Sequence, residues 1–131
     1  MRCIIAGSRG YHGSTVGLIV RAVAASGFES EITEVISGCA KGIDLLGEIW
    51  AKSRKIKVTR FEADWDGLGK RAGYVRNQQM AEYAAQDPDG SLIAIYDGSS
   101  PGTRSMIDLA RKYELRVWIG HPKESHGKNP S

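Results

Sequence analysis

Ser37-Gly38-Cys39-Ala40-Lys41-Gly42-Ile43-Asp44 is the stretch whose reading decides the fold. It follows an apolar run of strand length, Ile32 to Ile36, and leads into a run with helical spacing from Leu45 to Ser53. Gly38 and Gly42 let the backbone turn tightly and approach another molecule closely. The helix start behind them has unpaired N–H groups and the positive end of a dipole. A strand, a glycine turn and a helix start in this order make an anion site, most often for phosphate.

The same unit recurs on either side. Arg2 to Ala6 is a short apolar run broken by Gly7-Ser8-Arg9-Gly10-Tyr11-His12-Gly13. Ser14 or Thr15 caps a helix carrying Val16, Leu18, Ile19, Val20, Val23 and Ala24, which Gly27 ends. Ile56 to Phe61 alternates with period two and reads as a third strand. Glu62 to Gly69 reads as a loop, and Lys70 to Ala85 as a helix with a basic cluster at its start. Asp87-Pro88-Asp89-Gly90 is a turn. Ser91 to Tyr96 is the most apolar strand, expected to be central and buried on both faces. Asp97 to Gly102 is a Gly/Ser loop, Thr103 to Tyr113 the last long helix, and Leu115 to Ile119 the last strand.

Strict β-α alternation predicts an α/β fold: one doubly wound domain over residues 1–120, with a five-stranded parallel sheet and helices on both faces. Residues 121–131 form a polar tail expected to be disordered. The expected strand order is 3-2-1-4-5, whose switch point lies between the first and fourth strands. Ligands in such sheets bind there, beyond the carboxyl ends of the strands. Three glycine-bearing loops, after strands one, two and four, converge on that crevice.

The composition sets bounds on function. The chain has 131 residues, with 41% hydrophobic and 25% charged residues, which is ordinary for one globular domain. A net charge of +3 suits an anionic ligand but is too small to argue for nucleic acid alone. No apolar run approaches the roughly 20 residues of a membrane helix. No leader peptide is visible, and Cys3 and Cys39 give neither metal spacing nor a disulfide framework. The reading is a cytoplasmic protein without a metal or a bound cofactor.

Each loop has its own chemistry. The planar fork of Arg9 suits a phosphate or a carboxylate, and Ser8 has a hydroxyl to donate. Tyr11 either stacks on a base or covers the core edge. Asp44 either favours the helix dipole or accepts from a ribose hydroxyl. Cys39 reads as a small turn residue rather than a nucleophile, and Glu48, one turn beyond Asp44, as a solvated acid. The basic run Lys70-Arg71-Ala72-Gly73-Tyr74-Val75-Arg76-Asn77 opposes the dipole of the helix it opens, a conflict that an anion would relieve. Arg76 and Asn77 are the best placed of that run. In the fourth loop, Asp97 and Gly98 shape the turn, while Ser99, Ser100, Gly102 and Thr103 offer hydroxyls and N–H groups. Neither Gly-x-x-x-x-Gly-Lys-Ser/Thr nor Gly-x-Gly-x-x-Gly is present, and no Ser/His/Asp constellation is arranged for a triad.

Taken together, four motifs resemble the SLOG superfamily of Rossmann-like proteins, the group of DNA-processing protein A and the lonely-guy phosphoribohydrolases. Within it the chain looks closest to the small YspA/YpsA-related branch. Gly7-Ser8-Arg9 looks like the family's first loop, and Ser37 to Asp44 is similar to its Ser-Gly-x-Ala-x-Gly-Ile-Asp signature. Arg76-Asn77-Gln78-Gln79-Met80 resembles its Arg-x-x-x-Met stretch, and Asp97-Gly98-Ser99-Ser100-Pro101-Gly102-Thr103 its Pro-Gly-Gly-x-Gly-Thr loop.

The resemblance implies a nucleotide or nucleotide-derived ligand, such as a nucleoside phosphate or an ADP-ribose-like molecule. Its phosphates would sit on Ser37, Gly38, Cys39 and Gly42 and at Gly102-Thr103. It also implies a homodimer. In lonely-guy enzymes an arginine and a glutamate cleave a nucleoside monophosphate. Arg76 matches the arginine, but Met106 stands at the glutamate's place, and Tyr96-Asp97-Gly98 replaces Pro-Gly-Gly. That departure argues against cleavage by this route unless Asp97 or Asp44 substitutes for the missing acid. Sensing or sequestering a ligand is the first expectation. Phosphoribohydrolase activity and single-stranded DNA binding are the alternatives.

Overall fold

The computed structural model describes residues 1–8 and 15–122. The expectations for Arg9, Gly10, Tyr11, His12, Gly13 and Ser14, and for residues 123–131 of the tail, lie outside them. Five strands form one parallel sheet: β1 (Arg2–Gly7), β2 (Glu34–Ser37), β3 (Lys57–Arg60), β4 (Ser91–Ile95) and β5 (Arg116–Gly120). Their order is β3-β2-β1-β4-β5 and every pairing is parallel, as the β-α alternation implies. This is a Rossmann-like, doubly wound α/β fold.

The period-two pattern of β1 divides the core. Cys3 and Ile5 point to one face, where they pack with Leu18, Ile19 and Val23 of α1 (Val16–Ser26) and Ile43, Trp50 and Ala51 of α2 (Ile43–Ser53). Ile4 and Ala6 point to the other, against Met80 and Ala84 of α4 (Ala72–Ala85) and Met106, Ile107 and Ala110 of α5 (Pro101–Lys112). Every residue of β4 is buried, as its unbroken apolar run requires, whereas the edge strands β3 and β5 stay partly exposed.

Register places the functional loops. Gly7 at the end of β1 pairs with Ile95 at the end of β4, so the loops after these strands open side by side. The Ser8 N–H donates to the Ile95 carbonyl at 3.1 Å, and the Ser8 and Ser100 hydroxyls share a hydrogen bond of 2.7 Å. The two loops are therefore tied across the switch point.

Several boundaries differ from the sequence reading. The segment read as a loop from Glu62 to Gly69 contains a short helix, α3 (Trp65–Leu68). The Asp64 carboxylate caps it by accepting from the Gly67 N–H at 2.9 Å. Gly69, with φ of 58°, stops it, and a 3-10 turn over Gly69–Arg71 follows. As a result α4 starts at Ala72 rather than Lys70. Helix α2 starts at Ile43 rather than Leu45. Helix α5 starts at Pro101 rather than Thr103, because proline suits the first helical position.

Candidate functional site

Beyond the carboxyl ends of β1 and β4 lies a cleft of about 650 Å³. Its walls come from four places: Gly7 of β1, the Ala40–Asp44 turn, α3 with the first half of α4, and the start of α5. Of the residues singled out by the sequence, Gly7, Asp44, Arg76, Asn77, Gly102 and Thr103 line it.

The turn after β2 is shaped by two left-handed residues. Cys39 has φ of 66° and Gly42 has φ of 86°. Cys39 is a non-glycine residue held in this region, and its N–H donates to Ser37 Oγ at 3.1 Å. Burial raises the Cys39 thiol pKa, with the nearby Arg60 charge only partly offsetting it. The thiol is therefore protonated at neutral pH, in keeping with a turn residue. Gly38 is needed for space. A Cβ there would lie 2.9 Å from Asp44 Oδ2 and 3.0 Å from Arg76 Nη1. An acid of α2 and a cation of α4 thus meet at the bare edge of this turn.

Asp44 is buried, and its Oδ2 accepts from the Ala40 N–H at 3.2 Å. The carboxylate therefore holds the turn in front of its own helix. The first intrahelical bond of α2 runs from the Leu46 N–H to the Gly42 carbonyl. The N–H groups of Ile43, Asp44 and Leu45 precede it and carry the positive end of the helix dipole.

Glu48 departs from its reading as a solvated acid. It is buried, accepting from the Ser37 hydroxyl at 2.6 Å and from Arg60 Nε at 3.2 Å. Ser37 is buried beneath the turn as its anchor and does not line the cleft. The β3 cation that completes this network could not be assigned from the spacing of α2.

Arg76 and Asn77 join the walls. Arg76 is 8% exposed, and its Nη1 donates to the Gly38 carbonyl. Its Nε donates to Asn77 Oδ1 at 2.9 Å, and Asn77 Nδ2 donates to the Gly102 carbonyl at 3.2 Å. A continuous chain thus runs from the turn after β2, through α4, to the start of α5. The dipole conflict expected for the basic run is smaller than the sequence suggested. Arg76 sits one turn inside α4 with protein acceptors, while Lys70 and Arg71 precede the helix.

The loop after β4 is built on Asp97. Its carboxylate accepts from the N–H groups of Ser99 and Ser100, at 2.9 and 3.0 Å, and from both hydroxyls. Those bonds hold its pKa at about 2. Gly98 has φ of 92°, and Ser99 turns the chain. Asp97, Gly98 and Ser99 shape the loop without lining the cleft. The first intrahelical bond of α5 runs from the Arg104 N–H to the Ser100 carbonyl at 3.0 Å, so the N–H groups of Gly102 and Thr103 precede it. A Cβ on Gly102 would meet nothing within 4 Å. Met106 is buried and lines the cleft.

Sequence reasoning missed Trp65 and Ser105, and named Lys70 and Tyr74 only as members of the basic run read as opening α4. All four line the cleft. The usable signal was an aromatic residue beside a capping Asp and a Gly, in the loop leaving the carboxyl end of β3. Ser105 gave no signal. Its hydroxyl is buried with no hydrogen-bond partner among the described residues.

Fold and cleft together define a Rossmann-like α/β protein with a crevice of mixed polar and apolar lining at the topological switch point. The chain belongs to the YspA, cpYpsA-related SLOG family, whose sequence profile matches residues 1–67, from β1 through most of α3. It is 33% identical over 88 residues to the Gene 61 protein of Mycobacterium phage D29, covering 63% of this chain and 67% of that protein. In fold it is similar to DNA processing protein A from Streptococcus pneumoniae, with a TM-score of 0.65 and 19% identity over 90% of this chain. The chain spans about half the length of that structure, covering 49% of it. Among the described residues no helix is long and apolar enough to cross a membrane.

Proposed function

We propose that the cleft binds a nucleotide or nucleotide-derived ligand, a nucleoside phosphate or an ADP-ribose-like molecule, and that the protein acts as a sensor or sequestering module for it. The observation that carries this reading is the convergence of two helix starts, α2 and α5, with Lys70 and Arg76 on one cleft of about 650 Å³. Orphan N–H groups and guanidinium donors suit phosphate oxygens. The volume is in the range of a drug-sized ligand site. Among the described residues Asp44 is the acid lining the cleft, and a carboxylate is the acceptor a ribose hydroxyl needs.

Hydrolysis of the lonely-guy type is less well supported. It needs an acid where Met106 stands, and a thioether neither donates a proton nor stabilises an oxocarbenium ion as a carboxylate does.

Thermal unfolding of the full chain against nucleoside mono- and diphosphates, NAD and ADP-ribose tests the reading. A ligand at 100 times its Kd adds about 2.7 kcal/mol to stability, seen as a clear rise in Tm. Free base released from any of them would convert the binder into a hydrolase. No shift with any of them removes the proposal.

A further inference from the structure

Two large aromatic side chains line this cleft while remaining half in solvent. Trp65 on α3 and Tyr74 on α4 are each 51% exposed. Single exposed apolar residues are common, but two half-exposed aromatics lining one cleft that also holds Asp44, Arg76 and Asn77 are a recognition feature.

The Trp65 ring is also held in place. The tip of the indole, Cζ-side carbon Cη2, lies 3.4 Å from where a Cβ on Gly73 would be, so the ring rests against the bare backbone of α4. The Asp64 cap fixes the short helix that carries it. Arg76 Nη2 approaches that same point on Gly73 to 4.0 Å. An aromatic platform and a guanidinium therefore meet over one glycine.

We infer that the ligand carries a nucleobase stacked on Trp65, with Tyr74 as a second apolar wall, and that its phosphates run inward past Arg76 to the start of α5. This rests on the nucleotide reading above and adds the half of the ligand that the phosphate loops do not read. A planar π-face is what an indole recognises, and a bare sugar phosphate lacks one. A platform fixed before binding costs little ordering entropy. The α5 start and the Gly7 strand end line the same cleft as Trp65 and Tyr74, so one ligand can reach both.

The test uses the full chain with AMP and ADP-ribose as probes, ribose 5-phosphate as their base-free counterpart, and thymidine oligonucleotides of increasing length. Affinity is measured by calorimetry and stacking by tryptophan fluorescence. At least one base-bearing probe binds tenfold or more tighter than ribose 5-phosphate and quenches emission. Trp65→Ala weakens that probe by roughly 5- to 150-fold and leaves ribose 5-phosphate unchanged. Trp65→Phe keeps most of the affinity and loses the quench.

Unchanged nucleotide affinity in Trp65→Ala overturns this inference and leaves the nucleotide reading intact. Equal binding of the base-bearing and base-free probes does the same. Affinity that climbs with oligonucleotide length instead makes Trp65 part of a strand-binding track. If neither AMP nor ADP-ribose binds the wild type, the inference falls together with the proposed function.

Discussion

Individual residues of the turn after β2 have tasks that their neighbours in sequence do not reveal. Asp44 reads from sequence as a helix-start acid or a ribose acceptor, and it serves the turn by accepting from Ala40. Glu48, one turn on, looks equivalent, yet burial against Ser37 and Arg60 gives it a structural role. The difference is tertiary. β3 delivers Arg60 above Glu48, and no helical spacing encodes that. Asp97 carries the clearest pH consequence. Its pKa falls from the ordinary 3.8 to about 2, because the Ser99 and Ser100 N–H groups bind the ionised form. A lowered pKa stabilises the fold above the unfolded value, and the effect is lost as pH falls from about 3.8 toward 2. The Ser99 and Ser100 amide signals of the folded protein should therefore titrate with a midpoint near pH 2 in an NMR pH series and stay flat from pH 5 to 8.

Secondary-structure elements set the chemistry through their ends. Helix α5 opens with Pro101 and presents the N–H groups of Gly102 and Thr103 to the cleft. The sequence placed this start two residues late, although Gly-Thr after a Gly/Ser loop is a local signal for a helix start. Gly102 has open space around it, so a larger side chain fits. Gly102→Glu puts a carboxylate at the positive end of the helix. It replaces glycine in a helix and complements the dipole, each worth up to about 1 kcal/mol. The variant should therefore unfold at the same or higher urea concentration than wild type. Its nucleotide affinity should drop tenfold or more, because the new charge occupies the position proposed for the phosphate. Retained affinity in a stable Gly102→Glu would move the phosphate site away from α5. By contrast α3 was not legible at all. Four residues are too short for periodicity, and only the Asp64 cap and the left-handed Gly69 define it.

At the scale of the whole molecule, the cleft exists because the strand order reverses direction between β1 and β4. Helices α1 and α5, which follow those neighbouring strands, pack on opposite faces of the sheet, and the crevice lies where they diverge. The crevice is narrow where Gly7 meets α2. A Cβ at position 7 would lie 2.7 Å from three side-chain carbons of Ile43, which is fully buried. Ile43 is β-branched and stiff, so it has little room to yield. Gly7→Ala should cost about 1–3 kcal/mol, seen as a lower urea midpoint at unchanged m value. A neutral result would show that α2 shifts freely against β1, against the close packing seen here.

The sequence by itself determined the α/β class and the strand order. Apolar runs, glycine turns and helix caps are local signals, and alternation leaves few parallel topologies open. It also identified Gly7, Asp44, Arg76, Asn77, Gly102 and Thr103, which the structure brings to one cleft. Only the tertiary structure decided how those residues are joined. The chain from Gly38 through Arg76 and Asn77 to Gly102 spans separations of 38 and 25 residues, and which donors meet which carbonyls depends on helix packing. The same packing laid Trp65 on Gly73 and buried Glu48 under Ser37, because side-chain environment is set by what the fold brings alongside.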